Sequence, residues 1–240
     1  MASLTQNLRA IARETLLTSN TLRYRIEFAR IKEAFEKIGH CKEVLDGGAG
    51  SGEMLRRVFA AGYCDRGVGL EPDPELLAIM EDNYRAVPAL TPCSGSLLNI
   101  PFPDERFDCV MTTQVLEHIE EHEEAAAELG RVLKRDGYLV VSVPHPPEPF
   151  PNPGHVREGY TEEDLRQLFP EADFEFIFAR YFFTRPTLDR MVAAQKLPLG
   201  GKFVPLAWVD RETHLSDEAR QKQIPFGILG LFRKRLKPTA

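Results

Sequence analysis

The chain has 240 residues, a formal net charge of −6 and 43% hydrophobic residues. This length suits one large domain or a domain with an insertion, and the apolar fraction suffices for a substantial core. The acidic balance argues against broad, sequence-independent binding to nucleic acid, because such binding depends on clustered positive charge. The sequence has no signal-peptide pattern and no apolar run near the roughly 18 residues of a membrane span. We therefore expect a cytoplasmic protein.

The cysteines are widely spaced. Cys41, Cys64, Cys93 and Cys109 include no Cys-x-x-Cys pair. Such a pattern is typical of reduced thiols rather than of a disulfide framework or a cysteine-based metal site. We expect no metal in this protein.

Two helices are predicted ahead of the first strand. Apolar residues recur at helical spacing from Leu4 to about Leu17 and again from about Asn20 to Ile38. We interpret residues 1–40 as an N-terminal helical cap and residues 41–240 as the main domain.

A glycine-rich turn follows the first strand. The strand ends at Asp46, and Gly48, Gly50 and Gly52 then recur at every second position before a predicted helix. Glycines allow a sharp turn and a close approach of a ligand to the main chain, and the helix N-terminus offers free N–H groups. The spacing is not the dinucleotide fingerprint, because the third glycine position is occupied by Glu53. No Gly-Lys-Ser/Thr follows, which excludes a P-loop.

A second strand, Gly67 to Glu71, ends in an acid 25 positions after Asp46. A carboxylate at this place can accept hydrogen bonds from both hydroxyls of a ribose. Asp73 is predicted to cap the next helix, with Pro74 in its first turn and Leu76, Leu77 and Met80 on its apolar face.

The rest of the chain alternates predicted strands and helices, which indicates a doubly wound parallel sheet. A helix is expected to end at Asp136-Gly137. Between the last two strands lie about forty residues, and a connection of that length is usually functional. We interpret this insertion, at about residues 184–222, as a lid or a dimer surface, with a helix over Pro186–Gln195 and a turn over Leu197–Pro205. Arg233, Lys234, Arg235 and Lys237 are interpreted as a solvated tail. The later strands are predicted at Ala89–Cys93, Cys109–Met111, Tyr138–Val143, Asp173–Phe183 and about Ile224–Phe232.

Four features occur in a characteristic order: the Asp-x-Gly-x-Gly-x-Gly turn, the acid after the second strand, a Pro-Phe…Phe-Asp run before the fourth strand, and Leu-Glu-His-Ile after it. Over about Glu43 to Val143 the chain resembles class I S-adenosylmethionine-dependent methyltransferases of the small-molecule type. The resemblance implies an α/β fold: a Rossmann-like, seven-stranded, mostly parallel sheet with helices on both faces, an N-terminal helical cap and a late helical insertion. It also implies that the seventh strand lies antiparallel beside the fifth.

The resemblance also implies a set of residues that bind S-adenosylmethionine. Ser96 departs from the family pattern, in which an acid usually meets the adenine amino group. A hydroxyl can still accept from that amine, and Leu97 can offer its backbone N–H. Gln114 follows the fourth strand, where it would contact the methionine part of the cofactor. The implied cofactor-binding residues are Asp46, Gly47, Gly48, Gly50, Gly52, Glu71, Pro72, Ser96, Leu97 and Gln114.

The implied activity is methyl transfer to a small molecule, with S-adenosylhomocysteine as the product. An oxygen acceptor on a sugar, a polysaccharide precursor or another secondary metabolite is favoured. Such an acceptor benefits from a general base, and the candidates are His118, then His155, then His145. A partner other than the small-molecule substrate is not expected, apart from a possible homodimer.

Three alternatives remain open. The acceptor atom can be nitrogen or carbon, or the chain can be a catalytically idle module that binds the cofactor and regulates a partner. The third alternative is an aminopropyl transferase that uses the decarboxylated cofactor, but such an enzyme would require acidic residues at the position of Gln114. Methylation of nucleobase amino groups is disfavoured, because no Asp/Asn-Pro-Pro-aromatic motif follows the fourth strand.

Overall fold

The computed structural model describes residues 16–17, 19–148, 152–195 and 204–236. Seven strands form the main sheet: β1 (Cys41–Gly47), β2 (Cys64–Glu71), β3 (Leu90–Ser94), β4 (Phe107–Thr113), β5 (Leu133–Pro144), β6 (Phe174–Thr184) and β7 (Pro225–Lys234). The helices are α1 (Ser19–Ile38), α2 (Glu53–Ala60), α3 (Pro74–Tyr84), α4 (His122–Val132), α5 (Glu162–Leu168), α6 (Arg185–Gln195), α7 (Ala207–His214) and α8 (Asp217–Lys222). A short 3₁₀ turn covers Leu116–His118, and the two-residue strands Leu16–Leu17 and Val204–Pro205 pair antiparallel.

The strand order in the main sheet is β3-β2-β1-β4-β5-β7-β6. The pairs β1–β2, β1–β4, β2–β3 and β4–β5 are parallel. The direction of winding reverses between β1 and β4, and in open α/β sheets ligands bind at such a reversal, outside the carboxyl ends of the strands. Gly47 at the end of β1 lies opposite Leu70 and Thr112, so the ends of three strands meet there. The predicted Rossmann-like sheet and the place of β7 beside β5 are confirmed.

The central strands are apolar on both faces, as expected of parallel strands covered by helices. Val44, Leu45, Val110 and Leu139 have no exposed surface. Near-continuous burial of this kind fixes the strand ends, and with them the loops that follow, in one rigid frame.

The predicted end of α4 was wrong. The helix ends at Val132, and Asp136-Gly137 lies inside β5 rather than at a helix end. The register between β4 and β5 shifts after the Phe107–Leu133 pair, and Asp136 has a φ of 65°. The turn-forming pair therefore accommodates extra residues within a strand, which local sequence does not distinguish from a helix stop.

The N-cap of α3 is confirmed, because Asp73 Oδ1 accepts hydrogen bonds from the amides of Glu75 (2.7 Å) and Leu76 (3.2 Å). The predicted apolar face was wrong in part, since Leu76 is 39% exposed. Met80 and Tyr84 are the buried residues of this helix.

The basic end of the chain is anchored rather than solvated where the structure describes it. Lys234 Nζ donates to the carbonyls of Gly130 (2.8 Å) and Leu133 (2.7 Å), close to the C-terminus of α4. Arg233 pairs with Asp136. Lys237 lies outside the described residues.

The chain divides into two compact units. One comprises the residues up to Arg30 with Tyr181–Gly227; within it the buried Glu212 accepts hydrogen bonds from Thr184 and Thr187. The other comprises Ile31–Arg180 with the residues from Ile228 onward, and it contains the glycine turn. Helices α7 and α8 were not predicted. Most of the predicted first helix and of the Leu197–Pro205 turn lies outside the described residues, and the domain boundaries stay predictions.

All four cysteines are free thiols. Among the described helices, none combines the length and the apolar composition that crossing a membrane requires.

Replacing Lys234 by Met tests the anchor on α4. The substitution keeps most of the aliphatic stem and removes both hydrogen bonds from a charged donor to helix-terminal carbonyls, so we expect a loss of about 1–3 kcal/mol of unfolding free energy. Urea denaturation measures this change. Lys222→Met is the matched control. Lys222 is 73% exposed and pairs with Glu218 four residues earlier, and a surface ion pair of this kind contributes about 0.5 kcal/mol or less to stability. Equal losses in the two variants would contradict the anchor.

Candidate active site

The turn after β1 has the backbone conformation that its glycines predict. Gly48, Gly50 and Gly52 have φ values of 75°, 55° and 74°, in the left-handed region that L side chains rarely adopt. The amides of Gly48 and Ala49 donate to the carbonyl of Leu70 at 2.8 and 2.9 Å. The turn is therefore fastened to the end of β2.

Two of these glycines also fill tight packing positions. A Cβ on Gly48 would lie 2.4 Å from Val115 Cγ2, and one on Gly52 would lie 2.5 Å from the Tyr84 ring. A Cβ on Gly50 would meet nothing within 4 Å. The turn is thus packed at both ends and open at Gly50, where a ligand can reach the bare main chain.

Glu71 faces this turn, as the sequence predicts. Its side chain is buried, with 6% of the residue exposed. Oε2 accepts from the amide of Gly50 at 2.7 Å, and Oε1 accepts from the amide of Asp73 at 3.1 Å. An ionised carboxylate has about four lone-pair positions, so roughly two remain for a ligand.

Tyr84 packs against the turn at Gly52 and was not singled out from the sequence. Its hydroxyl donates to the carbonyl of Gly52 at 3.2 Å. Burial, followed by the charge of the fully buried Asp46, raises the pKa of Tyr84 well above its ordinary value, so the hydroxyl stays a donor. The sequence signal that could have identified Tyr84 as buried is its position, because it follows Met80 at the i+4 spacing that places two residues on the same helix face.

Ser96 and Leu97 lie beyond β3 at the same edge of the sheet, since the amide of Gly95 donates to the carbonyl of Glu71 at 3.3 Å. Ser96 Oγ accepts from the amide of Leu98 at 3.2 Å, which leaves its proton available to a ligand. Leu97 is buried, and a Cβ on Gly47 would lie 2.6 Å from its side chain.

Gln114 is the first residue after β4 and has a φ of 58°. Its amide N–H donates to the carbonyl of Ser142 at 2.7 Å, which ties the end of β4 to β5. Val115, the next residue, packs on Gly48 and was not singled out from the sequence. Pro72 follows Glu71 and is exposed.

The structure brings together two of the three candidate histidines. The rings of His118 and His155 are 4.7 Å apart between centroids and nearly perpendicular. His118 Nδ1 lies 2.6 Å from the carbonyl of Gly154, which can only accept, so Nδ1 carries the proton and Nε2 the lone pair. His145 is the residue directly after β5.

A loop clamps the segment that carries His118. Arg157 donates to the carbonyls of Leu116 and Ile119, both at 2.6 Å, and of Glu120 at 3.1 Å. Tyr160 donates to the carbonyl of Leu116 at 3.1 Å, and burial, the main cause, raises the pKa of its hydroxyl to about 12. The conformation after β4 is therefore imposed by residues about forty positions later.

Comparing Gly52→Ala with Gly62→Ala tests the packing of the turn. Both glycines have φ near 75–80°, so both variants share a backbone strain of about 1–2 kcal/mol, but only the Cβ at position 52 meets a neighbour. We expect Gly52→Ala to lose at least about 1 kcal/mol more unfolding free energy, as in overpacked cores. Chemical denaturation measures both variants, and equal losses would contradict the tight contact with Tyr84.

Part of this chain matches a known protein family. Residues 45–141 match a family described as "Methyltransferase domain". A probable S-adenosylmethionine-dependent methyltransferase of Mycolicibacterium smegmatis is 31% identical over 157 residues, which are 62% of this chain and 59% of the relative. The chain therefore spans about three fifths of this relative's length.

Solved structures share the fold. The YcgJ protein of Bacillus subtilis superposes with a TM-score of 0.57 at 19% identity, over 91% of this chain and 99% of its own. The N-methyltransferase NodS of Bradyrhizobium japonicum, solved with S-adenosyl-L-homocysteine, superposes with a TM-score of 0.57 at 14% identity, over 87% of this chain and 85% of its own.

The family match falls on the strands and the turn that build the site, and the strand order is that of the fold shared with these structures. Residues 45–141 of this chain therefore match a methyltransferase domain, and the fold is the one shared with solved methyltransferase structures.

Proposed function

We propose that this protein transfers the methyl group of S-adenosylmethionine to an oxygen atom of a small-molecule acceptor and releases S-adenosylhomocysteine. The observation that carries the proposal is the contact between Glu71 and Gly50, which sets a buried carboxylate against an open, glycine-lined turn. A ribose on that turn can donate both hydroxyls to the two lone-pair positions that Glu71 retains.

The other residues at this edge extend the site in both directions from the ribose. Ser96 and the Leu97 amide lie beyond β3, on the side where the adenine would sit. Gln114 lies after β4, on the side of the methionine part. Three further residues belong to the proposed cofactor site. Asp46 and Gly47 are the last residues of β1 and lead into the glycine turn, and Pro72 restricts the backbone directly after Glu71.

The chemistry requires little from the protein beyond alignment. Bound S-adenosylmethionine would supply an electrophilic methyl group to the acceptor oxygen, and the leaving sulfur would keep the electron pair as a neutral thioether. Orientation alone is worth roughly 7–11 kcal/mol in such reactions. A hydroxyl acceptor must also lose a proton, and His118 is suited to accept it, because Gly154 holds its Nδ1–H and leaves the Nε2 lone pair free to act.

Composition and thiol state support the finer parts of the proposal. The net charge of −6 supports a small acceptor such as a sugar, a polysaccharide precursor or another secondary metabolite, rather than nucleic acid. The four free thiols support the cytoplasm as the compartment. A homodimer through the insertion at about 184–222 remains a proposal.

Glu71→Gln tests the cofactor site. The variant keeps the shape of the side chain and removes the charge, so we expect S-adenosylhomocysteine to bind ten- to a hundredfold more weakly, about 1.5–3 kcal/mol for a charged hydrogen bond. Isothermal titration calorimetry measures the affinity. Glu36→Gln is the control, because it removes the same charge from an exposed ion pair with Lys32, away from the turn. Since surface ion pairs contribute little, we expect this variant to bind S-adenosylhomocysteine within about twofold of the wild-type affinity. Unchanged affinity in Glu71→Gln would remove the ribose assignment.

A labelling experiment tests the activity itself. Purified protein is incubated with methyl-labelled cofactor and the dialysable fraction of a cell lysate, and labelled products are identified by mass spectrometry. We expect a labelled methyl ether or ester. Gly50→Ala, which fills the open face of the turn, should abolish the label, whereas Gly62→Ala, strained alike but remote, should not.

Two other outcomes identify the alternatives. Label on nitrogen or carbon would replace the oxygen acceptor by the corresponding one. Binding of S-adenosylhomocysteine without turnover of any labelled acceptor would favour the idle module.

A further inference from the structure

We propose that Glu117, His118 and His155 form a binding site for one divalent transition-metal cation, with Zn²⁺ as the best-matched member of the class. Each residue offers one ligand atom, and the three atoms lie within 4.8 Å of one another. Zn–N and Zn–O bonds of about 2.0–2.2 Å place neighbouring ligand atoms roughly 3–3.5 Å apart, so the set has to contract by about 1–2 Å at most. This proposal departs from the sequence-based expectation of no metal.

Both imidazoles have a partner on Nδ1 of the kind that ligating histidines use. In metal sites the second ring nitrogen of a ligating histidine usually donates to a backbone carbonyl or a carboxylate. His118 Nδ1 is held by the carbonyl of Gly154, and His155 Nδ1 contacts the carboxylate of Glu148. In each ring this leaves Nε2 as the atom for the cation.

The carboxylate is held in place by the fold. Glu117 is only 1% exposed, and its backbone carbonyl accepts from the amide of Val156 at 2.9 Å. That bond joins the segment carrying Glu117 and His118 to the loop carrying His155. Burying a carboxylate is costly, and a bound cation offsets the cost directly.

One resting contact has to be exchanged when the cation binds. Asn152 Nδ2 lies 2.9 Å from His155 Nε2, while Asn152 Oδ1 accepts from the amide of Gly154 at 3.1 Å, which fixes the orientation of the amide group. The amide thus occupies the lone pair that the cation would take. Asn152 is therefore a competitor and not a ligand.

The donor set selects the class of cation. Two imidazole nitrogens and one carboxylate oxygen suit Zn²⁺, Co²⁺ or Fe²⁺ better than Mg²⁺ or Ca²⁺, which prefer oxygen ligands. Three protein ligands leave a coordination position open. Resting on the proposed function, that position would hold the acceptor oxygen and lower its pKa, without any redox step. In the cation-loaded protein His118 is then a ligand through Nε2 and not the general base, a role that it has only in the metal-free site.

The site is tested on full-length, tag-free, metal-stripped protein without cofactor. Zn²⁺ is titrated by calorimetry, and Co²⁺ is followed through its visible absorption. We expect one equivalent to bind, with affinity reduced at least tenfold in both His118→Ala and His155→Gln. His40→Ala, a surface histidine paired with Asp65, should bind like the wild type, and Asn152→Ala should bind as tightly or more tightly.

Several results would overturn the site: no saturable binding, unchanged affinity in both ligand variants, or an equal loss in His40→Ala. S-adenosylhomocysteine affinity is measured on the same proteins, and we expect the ligand variants to keep it, which shows that they are folded. Failure of the wild type to bind S-adenosylhomocysteine would refute the proposed function and leave the cation result standing.

Discussion

One charged hydrogen bond, from the amide of Gly50 to the carboxylate of Glu71, joins the two segments that frame the site. It forms only if β1 and β2 are parallel and in register, because the turn begins where β1 ends and Glu71 is the last residue of β2. Glu71 is nearly excluded from solvent, a cost that its two amide donors offset. The sheet therefore fixes the site, and the site in turn holds the two strand ends together.

The second constraint acts on the segment after β4. A 3₁₀ turn of three residues satisfies few of its own backbone groups: the carbonyl of Leu116 accepts from the amide of Ile119 at 3.3 Å, and the carbonyls of Ile119 and Glu120 follow the turn. Arg157 supplies donors to all three. The side chains of Glu117 and His118 are thus positioned by a later loop, which also carries His155, and chemistry at this place depends on a long-range contact.

Periodicity and turn chemistry predicted the strands of the sheet, the glycine turn, Glu71 beside it and the Asp73 cap, because each depends on nearest neighbours along the chain. The failures share a different cause. An Asp-Gly pair such as Asp136-Gly137 is typical both of a helix end and of an irregularity within a strand. Only the pairing of β5 with β4 shows which of the two is present. Lys234 belongs to a cluster of basic residues that looks solvated until the carbonyls of Gly130 and Leu133 are brought beside it.

The sequence by itself determined the class of fold and the carboxylate that faces the glycine turn, since spacing along the chain encodes strand, turn and helix, and the resemblance of its motifs to a methyltransferase family implied the kind of ligand. The tertiary structure alone decided that Tyr84 and Val115 support the turn, that Gly50 is its open face, and that His118 lies beside Glu117 and His155. Those relations join residues that are distant in sequence, and they are set by strand register and side-chain packing, which no local pattern contains.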